Sequence, residues 1–214
     1  MTRGLVVFDL DGTLIDSSAD LRSALNAALE RLHPGTTPLT PEEVRSMIGE
    51  GALRLVAKAL RAAGRDDVPE DALPVFLDCY RERLLDETRL YPGVRETLET
   101  LGDRPLAVLT NKPGDFSRTI VNGLGIGGFF TRVWGSGDVP AKKPDPLGLR
   151  RLLAETKTRA QDATMVGDSA IDVATGRAAA VRTVGVTYGF DPEGLRAQEP
   201  DVLIDRLPDL LAHL

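Results

Sequence analysis

The sequence is poor in the residues that many catalytic and structural devices require. It has one cysteine, Cys79, and two histidines, His33 and His213. A single cysteine cannot form an internal disulfide, and neither histidine lies near a serine, cysteine or acidic cluster along the chain. These shortages exclude a disulfide framework and leave little material for nucleophilic catalysis based on histidine.

Long apolar runs and an excess of positive charge are also missing. No apolar run approaches the roughly 20 residues that a membrane span needs, and the apolar segment before Asp9 is too short for a signal peptide. The net charge is -6 at pH 7, without the clustered basic face that marks proteins that bind nucleic acids or anionic membranes. We expect a cytoplasmic protein with neither of these partners, present as a monomer or a homodimer.

The chain does contain a repeating α/β pattern. Of its 214 residues, 42% are hydrophobic, which is enough to bury a core. Short apolar runs alternate with helical patterns, which is typical of a parallel sheet covered by helices on both faces. The predicted fold class is α/β, with a doubly wound, Rossmann-like parallel sheet. The predicted strands are Leu5–Phe8, Leu106–Leu109, Ala163–Val166, Thr183–Val186 and a weaker Val202–Ile204.

A long helical insertion separates the first two predicted strands. Residues 16–90 contain no convincing strand and show helical spacing of apolar residues, and Thr40 and Glu43 form a capping-box pattern. We therefore predict a core domain of residues 1–15 and 91–214 that carries an inserted helical domain, 16–90. The predicted helices are Ser17–Leu32, one from Pro41, Gly51–Ala63, Pro69–Leu85, Val94–Leu101, Gly114–Leu124, Pro146–Glu155, Ser169–Ala180 and Pro208 to the end.

Acidic residues follow two of the predicted strands. Asp9 and Asp11 come directly after the first strand, and Asp168 follows the third, with Asp172 one helical turn further on. Because ligands bind outside the carboxyl ends of parallel strands, we expect these carboxylates to meet. Close carboxylates repel unless a cation offsets them or one is protonated, and Mg²⁺ is the natural cation where phosphate supplies further ligands. An ordinary turn at Asp11-Gly12 is the alternative, which the position after a strand disfavours.

Two polar segments extend this candidate site. Thr110 and Asn111 end the second strand, where a hydroxyl and backbone N–H groups can hold a phosphoryl oxygen. Lys143 precedes a helix and can balance the carboxylates and the charge of a phosphoryl group. The ordinary alternatives are a turn or helix cap for Thr110 and Asn111 and a solvated surface lysine for Lys143. A shared position at the sheet edge favours the functional interpretation.

The ordered set of motifs resembles the haloacid dehalogenase-like hydrolase superfamily and covers essentially the whole chain. The motifs are Asp9-Leu-Asp11-Gly-Thr13, Thr110, Lys143-Pro144 and Gly167-Asp168 with Asp172. The helical insertion is similar to the small cap domain of that superfamily. Finer details, such as Thr110-Asn-Lys-Pro113, look most like phosphoglycolate phosphatases.

The resemblance implies a mechanism and a set of metal ligands. Asp9 would attack phosphorus and become an aspartyl phosphate, while Asp11 would protonate the leaving alcohol and then activate water. The resemblance also implies that Mg²⁺ is held by Asp9, the backbone carbonyl of Asp11 and Asp168. The remaining site residues are Thr110 and Lys143 as catalytic residues, with Asp172, Asn111 and Thr13 supporting them.

The helical insertion is expected to select the substrate. We expect the loop of Gly49, Glu50 and Gly51 to face it, and Arg54 to reach a substrate carboxylate unless it lies on a solvated helix face. The resemblance implies a small phosphorylated metabolite as partner, with 2-phosphoglycolate as the leading candidate. The alternatives are a pyrophosphatase, a nucleotide or sugar phosphatase, a β-phosphoglucomutase-like isomerase and, outside the enzymes, a non-catalytic phosphate-binding protein.

Ala180 is a departure from the resemblance. Relatives usually have a glycine at this position, where the helix after Asp168 ends. A left-handed helix cap formed by alanine costs about 1 kcal/mol. The departure concerns local stability and leaves the assignment of the site residues unchanged.

Overall fold

A six-stranded parallel sheet organises the chain. The computed structural model describes residues 4–214, so residues 1–3 of the predicted core segment 1–15 lie outside the described residues. The strands in chain order are β1 Val6–Phe8, β2 Ile15–Asp16, β3 Arg89–Leu90, β4 Leu106–Pro113, β5 Arg132–Ser136, β6 Thr164–Gly167, β7 Arg182–Val186 and β8 Val202–Ile204. In the large sheet the order is β5-β4-β1-β6-β7-β8 with every pair parallel. The predicted α/β class is confirmed.

Helices cover both faces of this sheet. They are α1 Ser18–Leu32, α2 Pro41–Met47, α3 Ala52–Ala62, α4 Ala72–Arg81, α5 Val94–Leu101, α6 Gly114–Gly123, α7 Leu147–Thr156, α8 Ala170–Ala178 and α9 Pro192–Ala197. Successive side chains of a strand point to opposite faces. Val6 and Phe8 accordingly pack in one apolar cluster with α5 and α6, and Val7 packs in a second cluster with α7. Within residues 4–214, no helix is long and apolar enough to cross a membrane.

The helices α1 to α4 lie between β2 and β3. These two short strands pair antiparallel, with Ile15 opposite Leu90 and Asp16 opposite Arg89. The prediction that residues 16–90 contain no strand is therefore wrong at both ends of the segment. Two-residue strands are too short to carry a hydrophobic period, so the sequence pattern could not show them.

A buried carboxylate fastens the two ends of the helical segment. Asp20, near the start of α1, accepts hydrogen bonds from the backbone N–H groups of Glu87 and Thr88 and from the Thr88 hydroxyl, at 2.7 to 3.1 Å. The predicted capping box is also present, because the Thr40 hydroxyl accepts from Glu43 N and the Glu43 carboxylate accepts from Thr40 N. Side chains thus satisfy backbone donors where the segment begins, turns and ends.

The structure differs from the sequence prediction at the sheet edge and near the C-terminus. The edge strand β5 and the six-residue helix α9 were not predicted. The predicted helix from Pro208 is a 3₁₀ helix, Leu207–His213, and the predicted helix Pro69–Leu85 is shorter, Ala72–Arg81. Ala180 follows α8 with φ of 56°, the left-handed conformation expected for it.

Candidate active site

Parallel pairing brings the polar residues after the strands together. Phe8 at the end of β1 lies opposite Val166 of β6, so Asp9 and Asp168 follow neighbouring strands at one edge of the sheet. One carboxylate oxygen each from Asp9, Asp168 and Asp172 lie within 4.8 Å of one another. The structure therefore gathers three of the acidic residues singled out in the sequence.

These carboxylates share one nearby ammonium group. Lys143 Nζ lies 2.8 Å from Asp9 and 2.6 Å from Asp172, and all of these side chains are buried. Burial raises the pKa of Asp9 to about 6, although the charge of Lys143 opposes the shift. Burial also raises the pKa of Asp168, and the charges of Asp172 and Asp9 add to this effect. Burial is the main cause of both raised pKa values, and repulsion from the neighbouring carboxylates adds to it.

The residues fit a hard divalent cation. Asp9 Oδ1 is buried and lies 2.8 Å from Lys143 Nζ, yet no hydrogen bond of acceptable geometry reaches it from the described residues. A cation beside Asp9, Asp168 and Asp172 would meet carboxylate oxygens, the donors that Mg²⁺ and Ca²⁺ prefer. It would also offset the charge that raises the pKa values. The acidic group is thus a candidate site for a divalent metal.

Asp168 is held tightly in its position. Its carboxylate accepts hydrogen bonds from the Thr13 hydroxyl at 3.1 Å and from the backbone N–H of Phe190 at 2.7 Å. Gly12 and Gly189 leave the space that it occupies, because a Cβ at either glycine would lie 2.2 Å from an atom of the Asp168 side chain. Any larger residue in place of Gly12 would therefore collide with the Asp168 side chain.

Asn111 and Asp172 position Lys143. The Asn111 side chain accepts a hydrogen bond from Lys143 N at 2.9 Å and donates to the carbonyl oxygens of Lys143 and Gly49, both at 3.0 Å. Asp172 Oδ2 accepts from the hydroxyl of Ser169 at 2.6 Å, and its Oδ1 accepts from Lys143 Nζ. Burial disfavours the charged lysine, but the carboxylates of Asp172 and Asp9 outweigh it and raise the pKa of Lys143. The lysine therefore stays cationic.

The Asp11 carboxylate has partners of its own. It accepts hydrogen bonds from Lys112 Nζ at 3.0 and 3.1 Å and from the Ser17 hydroxyl at 2.5 Å. Lys112 Nζ also donates to the hydroxyl of Tyr80, a residue of α4, at 2.5 Å. Asp9 and Asp11 are thus paired with different lysines, although only one residue separates them. Such different surroundings allow two neighbouring carboxylates to take different roles.

A small pocket joins Asp9 and Asp11. Thr110 lies in its wall, and its hydroxyl oxygen accepts a hydrogen bond from Lys112 N at 3.3 Å. The helical segment forms the opposite wall. The lining residues are Asp9, Asp11, Leu21, Ile48, Gly49, Gly51, Ala52, Leu55, Phe76, Tyr80, Thr110, Asn111, Lys112 and Pro113.

The loop at residues 49–51 separates this pocket from an outer cleft. Gly49 and Gly51 line the pocket, whereas Glu50, Arg54 and Lys58 line the cleft. Glu50 forms ion pairs with Lys58 at 2.6 Å and Arg54 at 3.0 Å, and the hydrogen bond from Lys58 lowers the pKa of Glu50. Arg54 therefore lies outside the pocket that Asp9 lines, and its guanidinium faces Glu50.

Sequence reasoning missed Lys112 and Tyr80. Lys112 directly follows Thr110 and Asn111, and this adjacency is the signal that could have found it. Tyr80 lies on the apolar side of α4, where it stacks on Phe76 with ring centroids 5.7 Å apart. Helical periodicity predicts that such a residue is buried, but it does not predict which residue its hydroxyl meets.

A family model described as haloacid dehalogenase-like hydrolase matches residues 6–186. The chain belongs to this family. The predicted resemblance is confirmed, and the matched range contains every residue that the sequence assigned to the site.

Similar proteins of this family cover nearly the whole chain. The phosphoglycolate phosphatase of Pseudomonas putida is 40% identical over 97% of this chain and 78% of its own length. That of Pectobacterium atrosepticum is 38% identical over 98% of this chain and 91% of its own. A crystal structure from Haemophilus somnus, described as a predicted phosphoglycolate phosphatase, has a TM-score of 0.90 at 32% identity and covers 100% of this chain and 99% of its own. The prediction that this haloacid dehalogenase-like hydrolase is a phosphatase is confirmed.

Proposed function

We propose that this protein hydrolyses small phosphate monoesters in a Mg²⁺-dependent reaction through an aspartyl phosphate on Asp9. The observation that carries the proposal is the Asp9 carboxylate. It lines the pocket, it belongs to the group of three close carboxylates, and its Oδ1 lacks a hydrogen bond from the described residues. A carboxylate that lines the pocket and whose oxygen makes no hydrogen bond of acceptable geometry remains available to attack a ligand there.

In the first step Asp9 attacks phosphorus and the ester bond breaks. Lys143, 2.8 Å from Asp9, offsets the charge of the phosphoryl oxygens as they approach the carboxylate. The Thr110 hydroxyl accepts its one hydrogen bond from Lys112 N, so its own proton can be donated to a phosphoryl oxygen. Asp11 gives a proton to the leaving oxygen.

In the second step water hydrolyses the aspartyl phosphate. Asp11, now a carboxylate, takes a proton from the attacking water and returns to its starting state. Its bonds to Lys112 and Ser17 hold it on the side of the pocket away from Lys143, which keeps the nucleophile and the acid–base group separate.

Mg²⁺ is the proposed metal. Asp9, Asp168 and the backbone carbonyl of Asp11 would hold it, with Asp172 bound to Lys143 beside them. When bound, it neutralises charge on the carboxylates and the phosphoryl group. The Thr13 and Phe190 donors keep the Asp168 carboxylate turned toward this position.

We also propose that residues 16–90 form a cap domain over a core domain of residues 1–15 and 91–214. Leu21, Leu55 and Phe76 of this segment line the pocket, so the segment supplies an apolar wall that excludes bulk water from the phosphoryl group. Water exclusion both strengthens the electrostatic contacts and prevents loss of the intermediate to side reactions.

The leading substrate is 2-phosphoglycolate. Support comes from the Pseudomonas putida and Pectobacterium atrosepticum relatives, whose named substrate this is. The small pocket also suits a compact ester. A β-phosphoglucomutase-like isomerase on the same fold is the second candidate, since it would use the same nucleophile but return the phosphoryl group to a sugar.

The test is phosphate release from a panel of phosphate esters, measured with Mg²⁺, after chelation and after Mg²⁺ is restored. We expect hydrolysis that depends on Mg²⁺ and that Asp9→Asn lowers by on the order of 10³-fold or more. Protein quenched in acid during turnover should carry a phosphoryl group on the peptide that contains Asp9. Asp78→Asn, an exposed aspartate on α4, is the matched control and should retain full activity.

Distinct outcomes contradict distinct parts of this proposal. Substantial activity of Asp9→Asn would exclude Asp9 as the nucleophile, and activity unchanged by chelation would exclude the metal. Interconversion of sugar phosphates with little free phosphate would favour the isomerase. No hydrolysis of any ester by the folded, Mg²⁺-loaded protein would favour a non-catalytic phosphate-binding protein.

A further inference from the structure

Lys112 and Tyr80 place an ammonium group and a phenol hydroxyl on one side of the pocket. Among the described residues that line it, Lys112 is the sole cationic side chain. Its Nζ touches Asp11, the residue that meets the leaving oxygen in the proposed reaction, at 3.0 Å. A group carried by the leaving alcohol one carbon away from the ester oxygen would therefore lie within reach of the Lys112 ammonium.

Hydrogen-bonding capacity remains at this pair. Lys112 Nζ lies within hydrogen-bond distance of both Asp11 carboxylate oxygens and of the Tyr80 hydroxyl. That hydroxyl accepts the bond from Lys112, and none of the described residues accepts its own proton. The O–H of Tyr80 is therefore left to donate to a ligand, beside the positive charge of Lys112.

The surroundings favour an anion as the acceptor. Leu21, Leu55 and Phe76 line the same pocket and offer no polar partner, so a charged group that entered beside them would depend on Lys112 and Tyr80. The pair thus presents an ammonium and a phenol side by side.

Three cations of the outer cleft are paired with carboxylates. Arg54 and Lys58 are paired with Glu50, and Arg45 lies 3.4 Å from Asp16. Neither Asp9 nor Asp11 lines this cleft. Lys112 is therefore the cation that lines the same pocket as the proposed nucleophile.

We propose that Lys112 and Tyr80 bind a carboxylate on the leaving group, which makes the enzyme selective for phosphate esters of small hydroxy acids. The inference rests on the proposed function and adds to it the residues that distinguish an acidic leaving group from a neutral one. The carboxylate lies against the Lys112 ammonium and accepts a hydrogen bond from the Tyr80 hydroxyl while the phosphoryl group lies at Asp9.

The test compares 2-phosphoglycolate with 2-hydroxyethyl phosphate, in which a neutral hydroxymethyl group replaces the carboxylate. The measured quantity is the ratio of the two kcat/KM values, since effects on Asp11 act on both substrates and cancel. We expect the wild type to prefer 2-phosphoglycolate and Lys112→Met to lower the ratio by about 10- to 100-fold. Tyr80→Phe keeps the charge and should lower it by about 5-fold, mainly through a higher KM.

Lys142→Met is the matched control, because Lys142 lies in the outer cleft and not in the pocket. The ratio of kcat/KM values for this variant should equal that of the wild type.

If the wild type hydrolyses neither ester, the proposed function fails. If it hydrolyses both equally well, or if Lys112→Met lowers both equally, the carboxylate assignment is overturned and the proposed function stands. A ratio lowered by Lys142→Met moves recognition to the outer cleft, and an unchanged ratio in Tyr80→Phe removes Tyr80 from it.

Discussion

At the scale of single residues, Lys143 resolves a conflict between burial and charge. It is 6% exposed and lies between Asp9 and Asp172. Taking such a group out of water is costly, and attraction to two carboxylates repays the cost only where the geometry is good. The ammonium is bound to Asp172 at 2.6 Å, and Asn111 fixes the backbone that carries it. The Lys143 ammonium and the carboxylates of Asp9 and Asp172 therefore stabilise one another, and loss of one leaves the others buried without a partner.

Lys143→Met should accordingly destabilise the metal-free protein. Without the ammonium, buried carboxylates lose their cationic partner, which costs about 3–5 kcal/mol. The measurement is the free energy of unfolding by urea without divalent ions. Lys142→Met, the exposed neighbour, is the control, and we expect Lys143→Met with Asp172→Asn to regain part of the loss. Equal stability of the two single variants would contradict a structural role for the Lys143 charge.

Individual site residues differ in how far the sequence predicts them. Asp9 and Asp168 could be placed because each directly follows an apolar strand, and parallel strands end at one edge. Asn111 was expected as a supporting residue, but the sequence did not indicate that its amide is bound to the backbone of Lys143 and Gly49. Partnerships of this kind join residues far apart in the chain, and no local pattern encodes them.

At the scale of elements, the turn after α8 has a residue poorly suited to its backbone. Ala180 has φ of 56° and is exposed. A Cβ is unfavourable in this left-handed conformation, whereas glycine adopts it freely. The conformation is imposed because Val181 N bonds to Gly176 O and closes the end of the helix.

Ala180→Gly should therefore stabilise the protein by about 0.5–1 kcal/mol, the relief of backbone strain less the added freedom of the unfolded chain. Thermal unfolding of the two proteins measures the difference. Ala154→Gly is the matched control, because Ala154 is an exposed residue inside α7, and it should destabilise by up to about 1 kcal/mol. The same sign for both substitutions would show that the left-handed turn is not strained.

The strands differ in whether their sequence pattern predicts them. The buried strands β1, β4, β6 and β7 are continuous apolar runs, and the sequence predicts them. β5 pairs with β4 alone and is mostly half-exposed, so it lacks both the apolar run of a central strand and a clean alternation. β2 and β3 consist of two residues each, and they are strands only because they pair with each other.

At the scale of the whole molecule, the helical segment and the sheet share one hydrophobic interior. A single cluster of buried residues extends from Phe8 of β1 through Leu25 of α1 to Phe76 of α4 and Leu98 of α5. Tyr80 and Lys112 add a polar contact between the same two parts. Elements that share a core unfold together, so the stability of the chain responds to the charge at the acidic group.

Mg²⁺ should therefore stabilise the protein more at about pH 7.5 than at about pH 5. Burial raises the pKa of Asp9 from 3.8 to about 6, so between these values the folded protein binds more protons there than the unfolded chain. Without a cation, stability falls as the pH rises through this window, by up to about 3 kcal/mol, and stays low above it. Mg²⁺ removes this loss where Asp9 is ionised.

The measurement is the melting temperature with and without Mg²⁺ at both pH values, with KCl at matched ionic strength. Each kcal/mol corresponds to about 2–4 °C for a chain of this size. Asp168→Asn should lose the pH-dependent part of the Mg²⁺ effect. An identical Mg²⁺ shift at both pH values would show that Asp9 ionisation is not linked to stability.

The pairing of β2 with β3 determines where the helical segment could be exchanged in an engineered chain. Ile15 and Leu90 face each other across two antiparallel strands, a separation of about 5 Å that a two-residue hairpin turn can span. The 73 residues between Asp16 and Leu90 thus enter and leave at one point. We expect that another segment whose two ends lie equally close could be joined at this point, provided that it rebuilds the apolar contacts shared with the sheet.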